Sequence, residues 1–98
     1  MAVNPAFHSL LGQMAEMHDR KNQDYASGSN PYSNFEEAAS ATGLTVDQVF
    51  AVLMGIKQAR LKQLSEPGRV PNNESVLDSK LDLAVYAALR ASYDYRTL

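Results

Sequence analysis

Ninety-eight residues with nine Lys or Arg against eleven Asp or Glu, a formal net charge of −2 and no cysteine describe one small domain, residues 1–98, that buries a core without covalent staples. The missing thiols exclude a disulfide framework, a thiolate metal site and a cysteine nucleophile, and they fit a cytoplasmic protein. No apolar run approaches the ~18 residues of a membrane span and no signal-peptide pattern opens the chain. The slight acidity argues against a nucleic-acid partner but leaves a small anionic ligand within reach of a few local cations.

In chain order, Asn4-Pro5 reads as an N-cap followed by a first-turn proline. Phe7, Leu10, Leu11, Met14 and Met17 then recur at steps of three and four, so a core-facing helix is predicted from Pro5 to about Tyr25, stopped by Gly28. Carried on at the same period, this apolar stripe turns polar at Lys21, Asp24 and Tyr25. Side chains in that position either enter solvent or line a polar pocket between helices. The pocket is the expectation, with Lys21, Asp24 and Tyr25 in its wall and the loop of residues 26–34 behind the Lys21 to Tyr25 stretch. His18, four residues after Met14, is expected to be partly buried, and two distant histidines without cysteine make no zinc set.

Ser33-x-x-Glu36 has capping-box spacing and opens a short second helix that Gly43 closes at C′. Thr45-x-x-Gln48 repeats the device, and Val46, Val49, Phe50, Leu53, Ile56, Leu61 and Leu64 follow at helical spacing until Pro67-Gly68. Asn73 is expected to cap a fourth helix that begins at Glu74 and reaches about Tyr93, with Leu77, Leu81, Ala84 and Ala88 as its core stripe. Nothing alternates with period two and no repeat is visible, so the fold class is all-α, an antiparallel bundle of about four helices. Apolar or small residues on several faces of the last helix, including Val76, Leu83, Val85, Ala87 and Leu89, predict a homo-oligomer.

Polar residues at apolar positions need explaining. Glu74, Asp78, Asp82 and Tyr86 run down the fourth helix, each four residues from the last. Like charges at that spacing destabilise a helix by ~0.2–0.5 kcal/mol per pair. Asp78 and Asp82 therefore want a cation: Lys57, Arg60 or Lys80 in a salt bridge, or a divalent ion to which Asp24 also contributes. Lys57 and Arg60 either lay their stems on the core and reach solvent or grip phosphate, Arg60 by its bidentate fork and Lys57 as a point charge. Tyr25, Tyr32 and Phe35 either pack or offer stacking faces to a base. The helix positions of Lys21, Asp24, Lys57, Arg60, Asp78 and Asp82 lead us to expect that these groups converge.

Three blocks in order, Lys21-Asn22-x-Asp24-Tyr25, Lys57-x-x-Arg60-Leu61 and Glu74-Ser75-x-x-Asp78-x-x-x-Asp82-Leu83-Ala84-x-Tyr86, resemble the nucleotide modification associated domain 1 family of small phage and bacterial proteins. That family looks like a distant relation of the MazG-like all-α nucleoside triphosphate pyrophosphatases, which hold magnesium with acids on two helices. Here Glu36-Glu37 is followed by Ala38, Ala39 and Ser40, so the first acidic motif is absent, and Glu74 and Asp78 stand one residue off the second.

The resemblance implies a small nucleotide ligand on Lys21, Asn22, Asp24, Tyr25, Asn30, Tyr32, Phe35, Lys57, Arg60, Asp78 and Asp82, with no catalytic residue, no metal and no cofactor. A phage anti-defence sponge that sequesters a cyclic or ADP-ribose-like nucleotide immune signal fits that reading. The alternative is a magnesium-dependent nucleotide pyrophosphohydrolase or nucleotide-modification accessory, its metal on Asp24, Glu74, Asp78 and Asp82. A third class, a DNA reader, follows from the helix-turn-helix look of the Ala38 to Val49 stretch, but its would-be recognition residues Val46, Asp47, Gln48 and Ala51 offer no cation to the groove.

Overall fold

The computed structural model describes residues 2–25, 28–68 and 75–98. Four helices follow in order, α1 (Pro5–Tyr25), α2 (Ser33–Thr42), α3 (Val46–Leu64) and α4 (Val76–Tyr95). Among the described residues there is no strand, and the chain is an all-α helical bundle protein. It divides into two compact units, Met1–Asn34 and Phe35–Leu98.

In the first unit, Asn4 caps α1 as its sequence position requires: its Oδ1 accepts from the Phe7 amide at 3.0 Å and its carbonyl from the His8 amide at 3.2 Å. Burial along α1 is confined to a short patch. Met14 is buried and Leu10 and His18 are half-buried, while Phe7, Leu11 and Met17 stay exposed, so the full stripe is not the core face expected of it. Periodicity marks which side of a helix is apolar; it does not say how much of that side is covered.

Beyond α1 the backbone turns at Gly28, whose φ of +62° suits glycine. Asn30 then forms an Asx turn: its Oδ1 accepts from the Tyr32 amide at 3.0 Å and its carbonyl from the Ser33 amide at 3.2 Å. Helix α2 thus begins at Ser33 itself, one place earlier than a Ser33 N-cap would put it, because Asn30 has already organised the entry to the helix.

In the second unit, Gly43 (φ +73°) ends α2 and the Thr45 capping box opens α3, with Gln48 N to Thr45 Oγ1 at 3.1 Å and Thr45 N to Gln48 Oε1 at 2.9 Å. The bend between α2 and α3 is 96°. It brings Phe35 onto Phe50 with ring centroids 4.6 Å apart, and Phe50 is completely buried. Val49 is buried beside it, while Ile56, expected in the same core stripe, is exposed.

Helices α3 and α4 run antiparallel, since Asp47 near the start of α3 pairs with Arg90 late in α4 and Lys57 pairs with Asp82 nearer its start. Ser75 caps α4 in a capping box with Asp78 (Asp78 N to Ser75 Oγ 3.0 Å, Ser75 N to Asp78 Oδ2 3.3 Å). The cap expected at Asn73, and the start at Glu74, fall outside the described residues; the Ser75-x-x-Asp78 spacing was the better signal. The packed face of α4 is the expected one only in part. Of the expected stripe Leu81 and Ala84 are half-buried, whereas Leu77 is 61% exposed and Ala88 is exposed; Ser79 is fully buried and Asp82, Tyr86, Arg90 and Tyr93 are half-buried. Ion pairs of Lys57 with Asp82 and of Asp47 with Arg90 lie across the α3–α4 seam.

Candidate functional site

The last turns of α1 and the loop after it enclose an open cleft of about 380 Å³ lined by Asp19, Asn22, Gln23, Gly28, Ser29, Asn30 and Pro31. Asp19, Asn22 and Gln23 share one helix face at steps of three and four. Half-buried Asn22 donates from Nδ2 to the Pro31 carbonyl at 3.1 Å, which ties the loop back onto the helix and fixes the shape of the cleft. The size suits a small ligand, but the wall is made of amides, a hydroxyl and a carboxylate rather than the usual apolar surface.

Of the residues expected at a site, Asn22 and Asn30 line this cleft, Lys21 and Asp24 are exposed on the same stretch of α1, and Tyr25 ends that helix. Tyr32 is half-buried, with its amide on Asn30. Asp19, Gln23 and Ser29 were missed, although the spacing from Asp19 to Asn22 and Gln23 could have found two of them.

In the second unit, Lys57 Nζ stands 2.8 Å from Asp82 Oδ2, with the side chains 14% and 31% exposed. This is the salt bridge that the spacing of Asp78 and Asp82 called for. Arg60 is exposed, one turn along α3 from Lys57, and Asp78 is exposed with its carboxylate on the α4 cap. Phe35 is buried on Phe50 and offers no open face to a base. So Lys57 and Asp82 come together as expected, Asp78 is engaged locally, and Lys21 and Asp24 belong to the first unit. Among the described residues no three His, Asp or Glu side chains form a group that could hold a metal ion. Glu74, from the alternative metal set, lies outside them.

Two further long-range polar contacts join elements of this unit. Arg90 grips Asp47 through both carboxylate oxygens at 2.6 and 2.7 Å, and this hydrogen bonding holds the Asp47 carboxyl below the usual aspartate range and raises Arg90. The Tyr93 hydroxyl donates to Glu36 Oε2 at 3.0 Å. Burial first, and then the bond to Glu36, push its phenol above the ordinary tyrosine range. With Asp47 held by Arg90 and Gln48 spent on the α3 cap, two of the four recognition positions of the DNA-reader reading are already committed.

Because the folded-state pKa of Tyr93 is raised, its contribution to stability is complete below the unfolded-state value and is lost as pH rises through the folded one. Urea denaturation from about pH 8 to about pH 11 is expected to show an alkaline loss of stability that Tyr93→Phe reduces. An identical alkaline slope in both proteins would contradict the assignment.

No family model matches the chain, and neither the curated proteins nor the solved structures contain a match. The likeness to the nucleotide modification associated domain 1 family rests on the three residue blocks alone. No single helix among the described residues is long and apolar enough to cross a membrane.

Proposed function

We propose that this chain is a nucleotide-binding protein that holds its ligand without turning it over, and that it works as a homo-oligomer. The cleft of the first unit carries the reading. Asn22, Gln23 and Asn30 offer paired amide donors and acceptors, Ser29 a hydroxyl and Asp19 a carboxylate. Base edges and ribose hydroxyls need that inventory, and an apolar ligand would gain little from it. In this reading Lys21, next to Asn22 on α1, meets phosphate. The sequence blocks resemble those of phage-borne proteins and the first acidic motif of the pyrophosphatases is absent, so the proposed role is sequestration: a sponge for a cyclic or ADP-ribose-like immune signal in the cytoplasm.

The test is incubation with a panel of mono-, di- and cyclic nucleotides and ADP-ribose, with and without magnesium, followed by chromatography of the released ligand. Retention of at least one member, recovered intact, is expected, and Asn22→Ala should weaken it at least tenfold, ~1.4 kcal/mol. If no member of the panel is retained, the nucleotide reading fails. Cleaved product in the presence of magnesium would replace the binder with a hydrolase.

A further inference from the structure

The cleft of the first unit has a charged side chain in its wall, and that charge is negative. Asp19 stands there with the amides of Asn22, Gln23 and Asn30, the hydroxyl of Ser29 and the ring of Pro31. Glu16, exposed one turn before Asp19 on the same side of α1, adds a second negative charge to that side. The phosphate of a nucleotide meets like charge at this wall and is turned away from it. A base fares little better. Among the described residues the lining holds no cation and no aromatic ring, so it lacks the flat faces on which bases stack. The part of a nucleotide that remains is the sugar.

We propose that the cleft seats a ribose through its free vicinal hydroxyls, with Asp19 as their acceptor. This inference rests on the nucleotide reading above and deepens it by naming the part of the ligand that enters the cleft. A carboxylate accepts through two oxygens and donates nothing, so two neighbouring hydroxyls that each donate to it satisfy it. Such O–H···O⁻ bonds are charge-assisted and about twice as strong as neutral ones. The sugar's own oxygens then need donors, and amides supply them. Asn22 uses one of its two amide hydrogens on the Pro31 carbonyl at 3.1 Å, which leaves the other for the ligand, and Gln23 brings a second amide. The same bond holds the loop against α1, so the wall is built before a ligand arrives. At about 380 Å³ the cleft lies at the small end of ligand pockets, ~300–1,000 Å³, which suits one sugar and its neighbours rather than a whole dinucleotide. The phosphate stays outside, as does Lys21, which is exposed on the same stretch of α1 and does not line the cavity. A 3′,5′-cyclic phosphate is disfavoured: its esterified 3′-oxygen brings no hydrogen and sets lone pairs against the carboxylate. Between the two kinds of signal named above, the cleft therefore selects the ADP-ribose-like one.

Titration calorimetry with four probes tests this. AMP carries the free diol on its nucleoside and ADP-ribose carries a second on its terminal ribose, whereas 2′-deoxy-AMP and 3′,5′-cyclic AMP each lack one of the two hydroxyls. Wild type is expected to bind AMP or ADP-ribose at least tenfold tighter than either of the others, and the tighter of the two shows which ribose is seated. Asp19→Asn keeps the shape of an exposed side chain and removes its charge. It should erase the preference by weakening the diol probes at least tenfold, with helicity unchanged by circular dichroism. Four probes that bind wild type alike, or a preference that survives Asp19→Asn, overturn the sugar assignment and leave the nucleotide reading standing. If none of the four binds, the sugar assignment falls, and if nothing in the wider nucleotide panel binds, the nucleotide reading falls with it.

Discussion

Replacing Phe50 by alanine is expected to lower the unfolding free energy by about 3–5 kcal/mol. Phe50 is completely buried, and its ring lies 4.6 Å from Phe35, tilted by 38°. Removing it deletes that stacking and opens a cavity where α2 meets α3, and the helices can only partly close it. The stabilities of small domains run at about 0.05–0.15 kcal/mol per residue, so a chain of 98 residues would lose a large share of what it has. Phe35→Ala should cost less, since Phe35 is 8% exposed. The double variant should cost less than the sum, because the two rings share about 0.5–1.5 kcal/mol of pairwise interaction. Urea denaturation of the four proteins measures all three quantities. A Phe50→Ala cost below about 1 kcal/mol with an unchanged slope would show that the α2–α3 junction is not where the stability of the second unit lies.

What could be read from the sequence divides along physical lines. Caps were legible where one short segment contains both partners: Asn4 for α1 and the Thr45–Gln48 box for α3 form as the residues require. The same rule applied to Ser75 and Asp78 would have placed the start of α4 correctly. The Lys57–Asp82 pair was legible because two acids one turn apart on a helix create a demand for a cation.

Asp47–Arg90 and Glu36–Tyr93 were not legible. They join residues 43 and 57 apart in sequence, and each residue, taken alone, looks like an ordinary surface group. Ser79 was not legible either: a completely buried serine, its hydroxyl without a hydrogen-bond partner among the described residues, lies beside the expected stripe of Leu77, Leu81, Ala84 and Ala88. A small side chain lets helices approach closely, at a desolvation cost of about 1–3 kcal/mol for the unsatisfied hydroxyl. The cleft was only partly legible. Asn22 and Asn30 line it, but Lys21 and Asp24, the polar end of the α1 stripe, stand outside its lining, and it lies between a helix and the following loop rather than between helices, shaped by the Asn22–Pro31 bond.

Lys57→Ala and Arg60→Ala should separate structure from recognition on α3. Lys57 is 14% exposed and holds Asp82, itself 31% exposed, at 2.8 Å. Deleting the cation strands a carboxylate that is only partly shielded, so the cost should fall short of the ~3–5 kcal/mol of a fully buried pair, at about 1–3 kcal/mol. Asp82→Asn in the Lys57→Ala background removes the stranded charge and should recover part of that loss. Arg60 is exposed, and contacts of exposed cations contribute about 0–1 kcal/mol. Arg60→Ala should therefore leave thermal stability nearly unchanged. If α3 meets phosphate, the same substitution should weaken nucleotide binding at least tenfold, ~1.4 kcal/mol, because a bidentate guanidinium has no substitute there. Thermal melts and titration calorimetry on both variants give the two readouts independently. Arg60→Ala and Lys21→Ala proteins that bind every nucleotide of the panel as wild type does would remove phosphate recognition from these residues, while a large loss of stability in Arg60→Ala would reassign the guanidinium to holding the α3–α4 seam.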